Sequence, residues 1–233
     1  MKARYHRKNN MREVAREIFS HFYLFTFSLF LFSCTTENYE TGDGDMSYMR
    51  ADFVMMHTAA AKTVDHFVTD EGETVNLQTQ ATVSWAEKAD TLYRALAYYN
   101  NDKAAQKVEV KSLQPVYVLR PRKVEDLETE PKDDPVGLES AWMSSNGQFI
   151  NLGILLMMGQ PEDDKAHHII GVVLNSETDD TITLTFDHVQ GGIPEYYTQR
   201  YYVSIPVTET MQGKAVTLRL NTYQGLIEKT FSL

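Results

Sequence analysis

Four histidine and aspartate positions are the first places in this chain where residue type and spacing could support chemistry. His167-His168 closes one polar segment and Asp187-His188 ends the next apolar one. Two imidazoles and a carboxylate could bind zinc, which takes three or four nitrogen or oxygen donors at about 2.0–2.2 Å. That set would make a metal-dependent hydrolase using His168, His188 and a nearby carboxylate. The strand period weakens this reading, because adjacent residues on a strand point to opposite faces unless a bulge intervenes. His188 continues the face of Ile182, Leu184 and Phe186, where an imidazole serves as a hydrogen-bonding end to the strand. The sequence therefore assigns no metal ligands. Asp133-Asp134 and Asp163-Asp164 lie in polar, turn-like text and read as solvated loops. There is no G-x-S-x-G elbow and no H-E-x-x-H pair. No catalytic residue and no cofactor-binding set is assigned. Glu195-Tyr196-Tyr197 and Tyr201-Tyr202, beside Gly191-Gly192, form an aromatic cluster of the kind that supplies binding area at low entropy cost.

Cys34 is the one cysteine. Before it come Lys2, Arg4, Arg7, Lys8, Arg12 and Arg16, opposed only by Glu13 and Glu17, and then an apolar run rich in phenylalanine up to Phe32. A basic segment, an apolar segment and a small-residue cleavage site is the layout of an export signal. The apolar run is about 15 residues, short of the roughly 20 needed to span a membrane as a helix. Met11 serves as well as Met1 as the start, since the segment stays basic from there. Leu31-Phe32-Ser33-Cys34 resembles the bacterial lipoprotein box, which implies cleavage before Cys34 and lipid attachment to its thiol. Two acyl chains anchor stably where one binds marginally. The predicted protein is thus held at the membrane by its lipid, in the cell envelope.

The formal charge is −10 and the isoelectric point about 5.2. Removing the basic leader makes the remainder more acidic still. Such a chain repels phosphate backbones, so nucleic acid is excluded as a partner. A protein or glycan outside the membrane remains as the expected partner.

These residues need a scaffold, and the text after the anchor is that of strands. Residues 1–33 read as signal peptide and 34–46 as an acidic, glycine-containing tether. Residues 47–122 hold β-prone runs at Tyr48–Thr58, on both sides of Asp70-Glu71-Gly72, at Lys107–Leu113 and at Val116–Leu119. The run Thr91–Tyr99 suits helix or strand, with Asn100-Asn101-Asp102 as a following turn. In Lys107–Leu113 the alternation puts Val108, Val110 and Ser112 on one face. Such short strands suggest a small barrel. Residues 123–138, with Pro131, Pro135 and many charges, read as a linker. Residues 139–233 hold about seven further strands, and Phe149–Met158 is apolar enough to be covered on both faces. The expected fold class is all-β, a small barrel followed by a β-sandwich.

Several stretches resemble the NigD-like lipoproteins of Bacteroidetes. They are Tyr48-Met49-Arg50-Ala51-Asp52-Phe53-Val54, Val68-Thr69-Asp70-Glu71-Gly72-Glu73 and Asp90 to Tyr99. In the second half they are Ser140-Ala141-Trp142, Phe149-Ile150-Asn151-Leu152, Phe186-Asp187-His188 and Leu220 to Gly225. The resemblance covers essentially all of the chain after the leader. It implies an OB-like N-terminal barrel and a C-terminal β-sandwich, with no catalytic residues to carry over. The family name derives from a bacteriocin-associated operon, which implies immunity or envelope protection as a role. Glu37 and Glu40, just after Cys34, resemble the acidic signal that sends such lipoproteins to the outer membrane. OB-like barrels elsewhere bind single strands through stacked aromatics, and Tyr93, Tyr98 and Tyr99 are aromatic. Without clustered cations, fold alone does not confer that function. The expectation is a non-enzymatic, lipid-anchored envelope protein.

Overall fold

The computed structural model describes residues 49–102, 107–127 and 129–233. The leader, the tether and Cys34 lie outside the described residues. Among the described residues no helix is long and apolar enough to cross a membrane.

The first half is one antiparallel sheet of β1 (Met49–Ala60), β2 (Thr63–Thr69), β3 (Thr74–Thr82), β4 (Thr91–Asp102) and β5 (Lys107–Pro115), in the order β3-β2-β1-β4-β5. Its period-2 text explains which side is buried. Val54 and Met56 on β1, Phe67 on β2 and Ala95, Ala97 and Tyr99 on β4 all point into one core. The sheet curls until β3 and β5 approach each other, giving a half-barrel. Gly72 turns the β2–β3 hairpin with φ of 84°, as the Asp-Glu-Gly sequence predicts. Residues 91–102 resolve as strand rather than helix, and the strand runs on through the expected Asn-Asn-Asp turn. The β-branched and aromatic neighbours across the sheet decide this, since they bury Tyr99 and Ala97 between strands.

One phase differs from expectation. Tyr98 pairs with Ser112 but Tyr99 pairs with Val110, so a bulge at Lys111 shifts the alternation of β5. Leu113, not Ser112, takes the inward position.

The second half packs two sheets face to face. One contains β6 (Tyr117–Val118), β12 (Tyr197–Pro206), β9 (Phe149–Met158) and β8 (Gly137–Met143). The other runs β14 (Gly225–Ser232), β13 (Ala215–Thr222), β11 (Thr181–Val189), β10 (Ile169–Glu177) and β7 (Arg122–Lys123). Ile150, Leu152 and Ile154 of β9 meet Leu184, Phe186 and Leu218 of the opposing sheet in the sandwich core. Each such side chain contributes roughly 1.5–3 kcal/mol when fully buried. The fold is all-β, a half-barrel followed by a sandwich, as the residues predict.

The segment between the halves is more engaged than its proline-rich, charged text suggests. β6 pairs with β12 and β7 with β10. Val136 is fully buried in the sandwich core. Backbone pairing with β12 and β10, and one apolar side chain, are enough to lay a polar segment along a sheet.

Candidate functional sites

The most constrained polar group is Arg94, alone among apolar and aromatic neighbours on β4. Its inward neighbours Tyr93 and Ala95 face the half-barrel core, so the strand period sends Arg94 to the other side, against the sandwich. Its side chain is fully buried. Nη1 and Nη2 donate to the two carboxylate oxygens of Asp70 at 2.5 and 2.7 Å. Nη2 also donates to Asn151 Oδ1 at 3.2 Å, and Nε to Ser204 Oγ at 3.2 Å. Ser204 Oγ donates in turn to Asn151 Oδ1 at 2.7 Å. The guanidinium lies 4.2 Å from the Phe149 ring centre and 5.4 Å from that of Phe53. Phe53 meets Trp142 and Tyr202 edge-on. A bidentate carboxylate, two further acceptors and an aromatic face are what a buried guanidinium needs. The arrangement joins the β2–β3 hairpin to β9 and β12. It also explains why β9 is apolar on both sides: one face meets the sandwich core, the other this joint.

Sequence reasoning quoted Arg94, Asp70 and Asn151 only as parts of motifs and missed that they meet. The available signal was a lone arginine at an outward position of an otherwise apolar strand, which calls for a buried acid.

The histidines singled out by sequence separate, His167 and His168 lying just before β10. His167 is exposed, with Nδ1 at 2.6 Å from the carbonyl oxygen of Lys165. His168 turns inward and stacks on His188, the ring centres 5.2 Å apart. His188 is fully buried. Its Nδ1 donates to the carbonyl of Asp134 at 3.0 Å, which leaves Nε2 to accept from His168 Nδ1 at 3.0 Å. Both ring nitrogens of His188 are thus occupied by protein groups, and among the described residues no carboxylate oxygen completes a ligand set with these two imidazoles. Burial and then the nearby His188 hold the His168 pKa below the usual imidazole range, partly offset by the Met157 backbone. His188 does end its strand by hydrogen bonding, to the segment before β8.

Asp163 and Asp164 are exposed, as is Asp133. Asp134 differs from expectation: it is half-buried, and its Oδ2 accepts from the backbone of Gln190 at 2.7 Å. Asp187 Oδ1 likewise accepts from the backbone of Lys132 at 2.8 Å. These carboxylates hold loops. Gly191 is fixed by geometry, with φ of +61° and room for no side chain, since a Cβ would stand 2.0 Å from the His167 carbonyl oxygen. Gly191→Ala is expected to cost about 1–3 kcal/mol. A lowered melting midpoint by circular dichroism checks this, and an unchanged one would show that the loop relaxes freely.

The aromatic residues fall into two groups. Tyr99 is buried, donating to Asp52 Oδ2 at 2.6 Å; Tyr93 packs beside Trp85 and accepts from the Lys88 backbone. Neither is a stacking platform. Tyr98, Tyr117, Tyr201 and Tyr202 instead line an open groove of about 490 Å3 with Gln199 and Arg200. Arg200 is ion-paired with Glu139. Tyr196 and Tyr197 are exposed nearby in sequence, and Tyr196 borders a second groove beside Gly191 and Gly192.

A further cluster escaped sequence reasoning altogether. His57 on β1 pairs directly with His66 on β2, and the next pair is Thr58 with Val64, so Asp65 is an extra residue in β2. That bulge puts Asp65 on the same side as His66. Asp65 Oδ1 lies 2.8 Å from His57 Nδ1 and 3.0 Å from His66 Nδ1. Asp90 Oδ1 lies 3.1 Å from His57 Nε2. Hydrogen bonds to Asp65 and then to Asp90 raise the His57 pKa. Burial pushes the Asp65 carboxyl up, yet the His57 hydrogen bond and the two imidazoles together hold it below the usual range. The sequence clue was the spacing of the buried Val64 and Phe67, three apart where a regular strand requires two.

The fold and these sites define an all-β protein of two packed parts, whose buried polar side chains chiefly hold strands and loops together. Residues 120–232 match the NigD-like C-terminal beta sandwich domain, and the chain belongs to the NigD-like family. Among solved structures, it is similar to a NigD-like immunity protein from Bacteroides caccae at 20% identity and a TM-score of 0.60. That likeness covers 78% of this chain and 96% of the other. A protein from Parabacteroides distasonis, described as toxin-related, is 15% identical with a TM-score of 0.60, covering 79% and 93%. A candidate lipoprotein from Bacteroides fragilis is 15% identical with a TM-score of 0.54, covering 78% and 96%. At these identities the likeness establishes the fold. No curated protein matches the chain.

Proposed function

We propose that this chain is a non-enzymatic lipoprotein, anchored in the outer membrane through Cys34, that binds a protein partner through its tyrosine-lined groove. The observation that carries this is the groove itself. Four tyrosines, two glutamines and an ion-paired arginine line one open surface between β4–β5 and β12. Tyrosine and arginine are the residues that dominate protein interfaces, because they bury much area and still hydrogen-bond at their ends. The descriptions of its structural relatives as immunity and toxin-related proteins favour a protein partner, and bacteriocin immunity is the specific form this role would take. A glycan is the second reading, since sugar rings also lie flat on aromatic faces. Hydrolysis at His168 and His188 is disfavoured by the hydrogen bonds that occupy both nitrogens of His188.

The test places a photo-crosslinking residue at Tyr117 in the intact, membrane-bound protein, with a control at Thr217 on β13. One discrete protein adduct at Tyr117, absent at Thr217 and lost in Tyr201→Ala, supports the reading. Equal labelling at both positions would reject the groove, and carbohydrate retained without protein would favour the glycan.

The anchor has its own test. Cys34→Ser is expected to move the protein from the detergent phase to the aqueous phase, because two acyl chains are lost together. A variant that stays in the detergent phase with its leader uncleaved would show that the apolar run itself is the anchor.

A further inference from the structure

The half-barrel carries a second set of chemistry-bearing residues, remote in the sequence from the groove. His57, His66 and Asp65 are positioned by two paired strands and one bulge. We propose that His57 Nδ1, His66 Nδ1 and Asp65 Oδ1 form a binding site for one divalent transition-metal ion such as Zn2+ or Ni2+, with Asp90 orienting His57.

The donors already converge, all lying within 4.8 Å of one another. Donors around a tetrahedral ion bound at about 2.0–2.2 Å stand about 3.3–3.6 Å apart. The observed separations of 2.8 and 3.0 Å need to open by about 0.3–0.8 Å. The rings are stacked with centres 4.7 Å apart, so both Nδ1 atoms face the carboxylate from neighbouring strands. Two imidazoles and a carboxylate suit zinc, nickel or copper, and not calcium or magnesium, which require all-oxygen shells.

Asp90 supplies the feature that an incidental ion pair has no need of. A carboxylate on the far nitrogen of a ligating histidine keeps that nitrogen protonated and leaves the other free for the metal. Asp90 sits where it can do this because its backbone N–H donates to the Thr58 carbonyl at 2.7 Å. Thr58 Oγ1 in turn is bonded to the carbonyls of Lys88 and Thr91, which fixes the loop. Asp90 also has φ of 47°, a conformation that aspartate tolerates better than most residues. Charge is balanced as well: Asp65 and Asp90 together neutralise a dication, the two imidazoles being neutral ligands. On binding, the ion displaces the protons now shared between Asp65 and the two rings, and they pass to solvent. The side chains of His57, Asp65 and His66 are 22, 34 and 32% exposed. Water or a partner's side chain can therefore reach a fourth position.

The experiment titrates the full chain, purified in detergent, with zinc sulfate by calorimetry at neutral pH. One equivalent per chain is expected, accompanied by a higher melting midpoint. His57→Asn and His66→Asn should each abolish the site, and Asp90→Asn should weaken it by roughly 10- to 100-fold. His167→Asn should leave it unchanged. Should a variant fail to fold, Ni2+ added to the parent protein gives the same answer, by selectively broadening the His57 and His66 ring resonances. No saturable binding, or binding that persists in the double variant His57→Asn/His66→Asn, would overturn the assignment. So would broadening centred on His167, His168 or His188.

Discussion

Arg94→Met is expected to lower the unfolding midpoint by roughly 6–20 °C, the largest effect of any single substitution considered. The cause is the carboxylate left behind. Asp70 is only 13% exposed at its side chain and receives both guanidinium edges. Removing one partner of a buried pair costs about 3–5 kcal/mol, and for a chain of this size each kcal/mol is about 2–4 °C. Asn151 Oδ1 and Ser204 Oγ lose a donor at the same time, and Phe149 loses its cation. Adding Asp70→Asn to Arg94→Met should recover part of the loss, because the stranded charge is gone. The joint is also the main polar tie between the half-barrel and the sandwich. The variant should therefore melt in two steps and become sensitive to trypsin at Arg122 or Lys123, in the segment between the halves. A single unshifted transition would show that the aromatic contacts of Phe53 suffice. It would also show that Arg94 contributes little net stability.

His188→Ala is expected to have the second largest effect, about 2–3 kcal/mol, or roughly 4–12 °C. A fully buried ring is removed, and the Asp134 carbonyl and His168 Nδ1 lose their partner together. Each unsatisfied buried group costs about 1–3 kcal/mol. Labelling at the tyrosine groove should survive below the new midpoint, since the histidine pair lies outside it. A variant that melts like the parent but loses labelling would assign His188 to the binding site.

The same pair sets a pH dependence. Burial, and then the nearby His188, lowers the His168 pKa in the folded protein. The unfolded chain then binds the proton first, so stability is fully present above the unfolded value of about 6.5 and is lost as pH falls below it. Thermal midpoints should decline through that range, and His168→Gln should flatten the decline. A parent profile with no slope there would remove His168 from the account.

Much of the architecture was legible because burial and strand period coincide. Ile182, Leu184, Phe186 and His188 alternate with threonines, and their side of the sheet follows directly. Phe149–Met158 is apolar at nearly every position, which requires cover on both faces. Gly72 sits in a turn because few other residues tolerate its φ. Each of these depends on a residue's own chemistry and that of its near neighbours along the chain.

Tertiary structure alone decided what met across the sheets. Nothing near Arg94 in the sequence names Asp70, Asn151 and Ser204 as its partners, because the pairing depends on how the half-barrel seats on β9 and β12. Val136 looked like linker because its burial comes from the sandwich core and not from its charged neighbours. The bulges at Lys111 and Asp65 depend on pairing register, which a single strand's text does not specify when polar and apolar residues are mixed. One bulge moved Leu113 inward in place of Ser112. The other turned Asp65 to the side of His66 and His57, and brought together the donors from which a metal site is inferred. Local chemistry determined the strands; register and packing determined which polar groups share a site, because hydrogen bonds and ligand bonds act only over the last few ångströms.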